Sequence, residues 1–487
     1  MIRISCKNER FTYDMYHIVK SFLPDAEISQ KVDPEQELLI EMTAEEEPDL
    51  EEQACDKKVR WTFFHCREAE IADISEKREQ KRYINKKLYQ TLVKKTGEEH
   101  AWGNMTGVRP TKMIMERLEE GSSEEEIIRY MHDTYVVSEK KAMLGIEIAK
   151  REKAQLDKLD YENGYSLYIG IPFCPTTCSY CSFTSYPVAK WQDRMDEYVD
   201  ALLKELAFIA EVSKEKHLNA IYMGGGTPTT LSAQQMDRVL SFLEEHFSFE
   251  HLKEYTIEAG RPDSITREKL MMIRNYPVTR ISVNPQTMNQ ETLDLIGRHH
   301  TVEEIEEKFR MARSLGFDNI NMDLIVGLPG EDKEKVAHTL EKVEALNPDS
   351  LTVHSLALKR ATRLNLFKDK YQEISFENSA EIMKMTMDSA HRMEMGPYYM
   401  YRQKNMAGNF ENVGYSREGK AGIYNILIME EKQSILAAGA GASTKFVFEH
   451  GERIERVENV KDLKNYVERI DEMIERKRIG MEKYLPK

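Results

Sequence analysis

Three cysteines within eight residues are the most informative feature of this 487-residue chain. Cys174, Cys178 and Cys181 have the spacing C-x3-C-x2-C in the segment YIGIPFCPTTCSYC. Cysteine thiolates hold the irons of an iron–sulfur cubane, and four of them would occupy every iron. Three leave one iron open to a further ligand. The spacing therefore predicts a [4Fe–4S] cluster whose metal ligands, and catalytic centre, are these three residues.

A structural zinc site is the main alternative interpretation of the three thiols. Zinc sites generally match one C-x2-C pair with a second pair of Cys or His, and no such pair follows Cys181 in the sequence. The remaining cysteines, Cys6, Cys55 and Cys66, are scattered through the N-terminal third, and we interpret them as ordinary thiols.

A glycine run and several polar residues follow later segments of strand character. Gly225, Gly226 and Thr227 lie in the run MGGGTPT, where glycines let the backbone approach a ligand and freed N–H and C=O groups can meet it. The open iron of a three-thiolate cluster can take the amino and carboxylate groups of S-adenosylmethionine (SAM), whose cleavage gives a 5′-deoxyadenosyl radical. We expect polar groups at successive strand ends to complete this ligand site; they are Glu258, Gln286, Arg298 and Asp323.

The elements that must position these residues alternate between strand and helix from Tyr165 onward. Short apolar runs recur up to Leu356, and stretches with helical periodicity such as Met195–Val212 and Lys333–Leu346 separate them. Six βα units in succession favour parallel strands joined by right-handed crossovers. The predicted fold class is α/β, a partial (β/α)6 TIM-like barrel with its chemistry at the C-terminal strand ends.

We predict four regions along the chain. Residues 1–75 form a small α/β unit, residues 76–160 a helical connecting region, residues 161–395 the barrel, and residues 396–487 a C-terminal region that covers the substrate. The acidic run Glu45–Glu52 predicts a solvated loop. The glycines and proline of Gly103–Pro110 predict a turn, which either separates two helices or lies near the active site.

Composition narrows the classes of function. The apolar fraction of 41% and charged fraction of 31% are typical of a globular protein. The formal charge of −15 disfavours a nucleic-acid binder, which usually has a basic face. The opening MIRISCKNERF lacks an apolar signal core, and no stretch approaches the length of a membrane span. These features predict a cytoplasmic protein without a nucleic-acid partner.

Several of these segments resemble the oxygen-independent coproporphyrinogen III oxidase group of radical SAM proteins. Between Tyr168 and Ala357 the resemblance is carried by YIGIPFCPTTCSYC, GGGTPT, IEAGRPD, RISVNPQ, GRHHT and MDLIVGLPG. The C-terminal run YYMYRQKNMAGNFENVGY, together with Gly439–Ser443, is similar to the HemZ-type coproporphyrinogen dehydrogenase branch of that group.

The resemblance implies a reaction, its partners and a set of SAM contacts. The reaction would be oxidative decarboxylation of two propionate side chains of coproporphyrinogen III to vinyl groups, giving protoporphyrinogen IX. The partners would be the tetrapyrrole and a small electron-donor protein such as flavodoxin or ferredoxin. The implied SAM contacts are Tyr168, Tyr180, Gly225, Gly226, Thr227, Glu258, Gln286, Arg298, Asp323 and Ala357.

Two positions depart from the pattern of the group. The fourth cysteine that other oxidases have two residues beyond the third is Phe183 here, and the histidine of the Y-x-H-I-P-F-C pattern is Gly170. Relatives without the fourth cysteine include haem chaperones, which bind and deliver haem. A haem-trafficking protein with a retained cluster, and a radical SAM enzyme acting on another tetrapyrrole, therefore stay as alternatives.

A tetracarboxylate substrate needs cationic partners, and the planar forks of arginine suit carboxylates. Arg402, among several tyrosines and asparagines, is the leading candidate for substrate binding. His354 and His391 could ligate haem, although a lone histidine is more often structural. The other cations near the predicted site read more simply as surface charges; they are Lys359, Arg360, Arg363 and Lys404.

Overall fold

The structure is a computed structural model, and it describes most of the chain. The described residues are 1–24, 26–46, 59–105, 107, 109–357, 362–366, 376–403, 406, 409–448 and 451–484. They form two units, one of residues 1–146 with 402–410 and the other of residues 147–401 with 411–487. The division into four regions stays a prediction.

The first unit contains a four-stranded sheet and helices. Its elements are β1 (Ile2–Cys6), α1 (Thr12–Phe22), β2 (Ile28–Val32), β3 (Ile40–Glu46), β4 (Val59–Cys66), α2 (Lys77–Thr96), α3 (Pro110–Glu119), α4 (Glu124–Tyr135) and α5 (Glu139–Leu156), whose second half belongs to the other unit. The strand order is β2-β1-β3-β4. The sequence analysis missed β2 because this edge strand has apolar residues only at its ends, and Val32 is exposed.

Three sequence predictions for this unit have different outcomes. Cys6 and Cys66 are buried free thiols, and burial raises the pKa of Cys6 to about 12, as expected of ordinary thiols. The acidic run predicted as a loop begins within β3 and continues outside the described residues. Cys55 also lies outside the described residues. Gly103 lies in a turn before α3, as the glycine pattern predicted.

The second unit is built on a sheet of buried parallel strands. Its elements up to the sixth barrel strand are β5 (Gly164–Ile171), β6 (Phe173–Cys174), β7 (Tyr186–Pro187), α6 (Met195–Val212), β8 (His217–Gly225), α7 (Ala233–His246), β9 (Glu254–Gly260), α8 (Arg267–Ile273), β10 (Arg280–Val283), α9 (Gln290–Leu295), α10 (Val302–Ser314), β11 (Ile320–Val326), α11 (Lys333–Leu346) and β12 (Ser350–Ser355). Strands buried on both faces explain the near-continuous apolar runs in the sequence.

The six predicted barrel strands lie side by side in chain order. The sequence of neighbours is β5, β8, β9, β10, β11 and β12, all parallel. Amphipathic helices cross between them, and α7 and α10 begin with capping boxes built by Ser232 and Thr301. In the described part of the chain β5 and β12 are not neighbours, so the barrel is partial. The predicted fold class is confirmed.

The part of the chain after β12 adds strands to both edges of this barrel sheet. It consists of α12 (Arg363–Leu366), α13 (Ala380–Arg392), β13 (Gly396–Tyr401), β14 (Asn412–Ser416), α14 (Ile423–Glu430), β15 (Ser434–Ala438), β16 (Ser443–Phe448), β17 (Arg453–Glu458), α15 (Leu463–Glu468) and α16 (Ile470–Tyr484). β15 pairs in parallel with β5, and β14 pairs antiparallel with β12. The region predicted to cover the substrate thus contributes a seventh parallel strand to the sheet.

Membrane-spanning helices were searched for in the described residues. None of their helices combines the length and the apolar character needed to cross a bilayer.

Candidate active site

The three cysteines lie on the loop that follows the first barrel strand. Cys174 ends the short strand β6, which pairs with β7. Cys178 and Cys181 follow in a turn, where the Cys181 N–H donates to the Cys178 carbonyl at 3.2 Å. Cys178 is buried, and the other two are half-buried. The loop therefore holds all three thiols at the C-terminal end of β5, where the sequence analysis predicted them.

Hydrogen bonds hold this cysteine loop against the segment that follows α9. Thr176 Oγ1 donates to the Gly297 carbonyl at 2.8 Å, and the Ser179 N–H donates to the Ile296 carbonyl at 2.9 Å. The Leu364 N–H in turn donates to the Ser179 carbonyl at 3.0 Å. Hydrogen bonds on several sides fix the backbone that carries the thiols.

The surroundings of the thiols suit anionic sulfur. Burial raises the pKa of the Cys174 thiol, and a hydrogen bond from Thr227 Oγ1, 3.6 Å from its sulfur, acts in the opposite direction. Arg261 Nη1 lies 3.8 Å from Cys178 Sγ, and Arg298 also interacts with that sulfur. The buried Cys178 thiol beside two permanent cations fits a cluster that binds it as a thiolate.

The described residues contain no group of three His, Cys, Asp or Glu side chains placed to hold one metal ion. A cubane needs a different arrangement, because each cysteine binds its own iron. The donor set of three cysteines on one fixed loop fits such a cluster.

The glycine run after β8 lies directly against the cysteine strand. The Gly226 N–H donates to the Ile171 carbonyl at 2.8 Å, and the Thr227 N–H donates to the Phe173 carbonyl at 2.7 Å. A Cβ on Gly226 would lie 2.5 Å from the Phe173 oxygen. These two N–H groups are therefore bound within the protein, and the glycine permits close approach of two loops. The binding of SAM by this glycine run stays a prediction, and these two N–H groups are not available for it.

Glu258 is a half-buried carboxyl group near the end of β9. Burial raises the pKa of Glu258 to about 7, while the hydrogen bond from the Tyr222 hydroxyl opposes this rise and nearby Asp323 adds to it. A Cβ on Gly224 would lie 3.0 Å from the Glu258 carboxyl carbon. Gly224 thus leaves the space that this carboxyl group occupies.

Gln286 and Arg298 carry buried polar atoms without a hydrogen-bond partner among the described residues. Gln286 has a φ of +66°, and its Oε1 is one such atom. Arg298 Nη1 donates to the carbonyls of Asn284 and Pro285, the latter at 2.9 Å, but its Nε is unpartnered. An unsatisfied buried polar atom costs about 1–3 kcal/mol unless a ligand meets it. These two atoms are what a bound polar ligand would satisfy.

Asp323 and Gln286 are joined through the backbone, since the Gln286 N–H donates to the Asp323 carbonyl at 2.9 Å. Tyr180 packs on an apolar cluster that includes Leu356, and Ala357 follows that residue. Tyr168 stacks near Tyr222 and Tyr424 with ring centroids 6.4 Å apart in each case. Most of the predicted SAM-binding residues lie on the C-terminal halves of barrel strands or in the loops that follow them, whereas Asp323 lies in the middle of β11 and Arg298 follows α9.

Sequence reasoning missed three residues of this arrangement. Tyr222 donates to Glu258, and Arg261 contacts the cysteine loop. Tyr424 comes from α14 and stacks on Tyr222 with centroids 4.5 Å apart. Tyr222 and Arg261 lie next to motifs that the sequence analysis used, which could have pointed to them. Nothing local in the sequence links Tyr424 to the site.

The residues considered for substrate or haem are placed differently. Arg402 is buried in the first unit, where its guanidinium donates to the Met105 carbonyl at 2.7 Å and to Asn409 Oδ1 at 2.8 Å. Its substrate role stays a prediction. His354 Nδ1 lies 3.2 Å from the Tyr401 hydroxyl. His391 and Arg363 are exposed on α13 and α12, and three candidates fall outside the described residues: Lys359, Arg360 and Lys404.

Comparison with known proteins agrees with this geometry. The family model of the radical SAM superfamily matches residues 168–343. In structure, the chain resembles coproporphyrinogen III oxidase (HemN) from Escherichia coli, described as a radical SAM enzyme. The TM-score is 0.51 and the identity 26%, covering 66% of this chain and 73% of that chain. The fold and the cysteine site are those of a radical SAM protein, and the cofactors of this superfamily are a [4Fe–4S] cluster and SAM.

Two curated relatives show which radical SAM proteins this chain is most informatively compared with. The oxygen-independent coproporphyrinogen-III oxidase-like protein HemZ from Bacillus subtilis is 42% identical over 386 residues, which are 78% of this chain and 77% of that protein. The haem chaperone HemW from the same organism is 32% identical over 245 residues, 50% of this chain and 63% of that protein. The chain therefore belongs to the family of coproporphyrinogen-III oxidase-like radical SAM proteins that includes HemZ.

Proposed function

We propose that the protein catalyses the oxygen-independent oxidative decarboxylation of coproporphyrinogen III to protoporphyrinogen IX. The observation that carries this proposal is the cysteine loop fixed against the glycine run at the C-terminal edge of the barrel. The names of the HemZ and HemN relatives support the tetrapyrrole as substrate. We place this reaction in the cytoplasm, with a small electron-donor protein as partner.

In this proposal each part of the site has a separate task. Cys174, Cys178 and Cys181 would hold the cluster and leave SAM a place on it. When bound, the two cofactors would supply a carbon-centred radical; each propionate would lose a hydrogen atom and CO2, and an external acceptor would take the remaining electron. The ten predicted SAM contacts would hold and orient the sulfonium ligand, with Glu258 accepting from the N–H groups of its amine. The tyrosine rings 168, 222 and 424 provide an apolar surface that keeps water from the reacting carbon.

A direct assay tests the reaction. Anaerobically reconstituted protein is incubated with SAM, reductant and coproporphyrinogen III, and protoporphyrinogen IX and 5′-deoxyadenosine are quantified by chromatography. We expect both products from the parent and neither from the Cys181→Ala variant. Cys66→Ala is the matched control, because Cys66 is a buried thiol of the first unit. Formation of 5′-deoxyadenosine without any porphyrin product would contradict the substrate while leaving the cofactor chemistry intact.

Haem trafficking with a retained cluster is the second candidate. Two observations favour it: the similarity to HemW, and Phe183 in the position of a fourth cysteine, with 71% of its surface exposed. Spectroscopic titration with haem distinguishes the two functions. Stoichiometric, stable haem binding together with no decarboxylation would replace the first proposal by the second.

A further inference from the structure

Arg261 is a buried arginine beside the cysteine loop that no part of the predicted site includes. It follows β9, and its side chain is 3% exposed. Its Nη1 lies 2.7 Å from Thr176 Oγ1, 3.1 Å from the Thr176 carbonyl and 3.8 Å from Cys178 Sγ. One nitrogen of this guanidinium therefore meets the backbone, a hydroxyl and a thiol of the same loop.

The other two nitrogens of Arg261 are held by a single carboxylate. Nε donates to Asp263 Oδ1 at 3.0 Å, and Nη2 donates to Asp263 Oδ2 at 2.6 Å. This two-point contact fixes the plane of the guanidinium and so aims Nη1 at the cysteine loop. A lysine ammonium at this position could not make both sets of contacts with the same geometry.

A fixed positive charge at this place acts on the cluster electrostatically. Hydrogen bonds to cluster sulfurs and the net charge nearby set the reduction potential of an iron–sulfur cluster, and such outer contacts also orient the ligands. Reduction adds negative charge to the cluster, so a buried cation beside it favours the reduced state. We propose that Arg261 is a positioning residue that holds Cys178 in place and raises the reduction potential of the cluster.

This inference rests on the cluster assignment in the proposed function, and one experiment distinguishes the two. The reconstituted full-length protein is titrated with reductant at defined potentials, without SAM, while electron paramagnetic resonance reports the reduced cluster. Iron and sulfide are measured in the same samples. A parent protein without iron would contradict the cluster assignment itself.

Two substitutions are expected to move the potential in opposite directions. Arg261→Gln removes the cation and should shift the midpoint to more negative values. Asp263→Asn keeps the cation but removes the anion that compensates it, and should shift the midpoint to more positive values. Arg392→Gln is the matched control, because Arg392 makes the same two-point contact with Glu344, at 3.1 and 2.6 Å, on the exposed surface of α13. It should leave the potential unchanged.

Shifts of the same sign in both variants, or no shift in either, would overturn the proposal, because a purely structural role predicts no opposite signs. If Arg261→Gln fails to retain its cluster, Arg261→Lys takes its place. The Arg261→Lys variant keeps the positive charge but cannot make the two-point contact with Asp263. Its cluster should therefore have a lower reduction potential than the cluster of Asp263→Asn, and equal potentials would contradict the proposed role of Arg261.

Discussion

Glu258 is a half-buried carboxyl group, and it shows how one residue can serve both the folded chain and a ligand. Tyr222 donates to it, while burial and the neighbouring Asp323 raise its pKa to about 7. Without a ligand, such a carboxyl group is half-protonated near neutral pH. A cation that meets it would favour the ionised form, because an opposite charge stabilises a carboxylate.

Replacing Glu258 by glutamine should weaken SAM binding. The charge-assisted hydrogen bond that is lost is worth about 1.5–3 kcal/mol, which corresponds to a roughly 10- to 100-fold rise in Kd. The ionised carboxyl group accepts more strongly than the neutral one from the N–H groups of the amine, so the Kd of the parent should fall more steeply between about pH 6 and about pH 8 than the Kd of the variant. Equilibrium dialysis of the cluster-loaded protein measures both effects. A parent Kd that does not change over this range would contradict the assignment of Glu258.

Glu152 is a buried carboxyl group for which no function is predicted. Burial, with Glu430 as the next cause, raises the pKa of Glu152 well above its ordinary value. The folded chain therefore keeps a proton that the unfolded chain releases at neutral pH. Folding stability must fall as pH rises above the ordinary pKa of glutamate, until the raised pKa is reached.

Glu152→Gln should remove this pH-dependent loss of stability. We expect a higher Tm than the parent, with a larger gain at about pH 8 than at about pH 5. Thermal unfolding of the cluster-free protein at both pH values measures the difference. Glu147→Gln on the same helix is the control, since Glu147 is exposed and pairs with Arg151 at 3.2 Å. An equal change in Tm at the two pH values would show that the Glu152 proton does not matter.

Among the elements, the loops after β5 and after β8 approach each other closely. Gly226 permits it, because a Cβ there would lie 2.5 Å from the Phe173 carbonyl and 2.9 Å from the Ile171 carbonyl. Its φ is not in the left-handed region, so a substitution acts by crowding alone.

Gly226→Ala should push the glycine run away from the cysteine strand. Overpacking typically costs about 1–3 kcal/mol, and we expect less iron and sulfide per chain together with weaker SAM binding. Gly107→Ala is the control, because no described atom lies within 4 Å of the Cβ it would add. A Gly226→Ala protein with its full iron content and the parent affinity for SAM would contradict this account.

The contact between α6 and α16 contains a buried ion pair. Lys477 Nζ lies 2.9 Å from Glu205 Oε1, and neither side chain is exposed. Glu205 also accepts from the Gly439 N–H at 2.9 Å and from the Tyr466 hydroxyl at 2.7 Å. The carboxylate thus joins the C-terminal helices to the loop that follows β15.

Lys477→Met should destabilise the protein because it leaves the Glu205 charge buried without its cation. Breaking such a pair costs about 3–5 kcal/mol, and Lys477→Met combined with Glu205→Gln should recover part of the loss. Urea unfolding of the cluster-free protein measures both. Lys204→Met breaks the exposed Lys204–Asp471 pair between the same two helices and should cost less than about 1 kcal/mol. Equal losses from the two lysine substitutions would refute the argument.

Across the whole molecule, the features that sequence could predict are those with local signals. Six apolar runs and the thiol spacing were enough to predict the barrel and the position of Cys174 after its first strand. The sequence could not predict that β15 pairs with β5, because Ser434–Ala438 is a short apolar run whose partner depends on the complete fold. The position of Tyr424 in the tyrosine stack depends in the same way on the packing of α14. The contact of Arg402 with the Met105 carbonyl could not be predicted, because Met105 is 297 residues away in the chain.

The pairing of β15 with β5 also determines when the barrel sheet can be completed during translation. Ser434 aligns with Tyr165, so the two strands are separated by more than half of the chain. Until β15 has been synthesised, β5 has one unpaired edge, and such edges are prone to associate with other chains. The cysteines follow the C-terminal end of this strand. We therefore expect iron–sulfur assembly factors to load the cysteine loop only after translation is nearly complete. Nascent chains arrested before residue 434 should need chaperone protection.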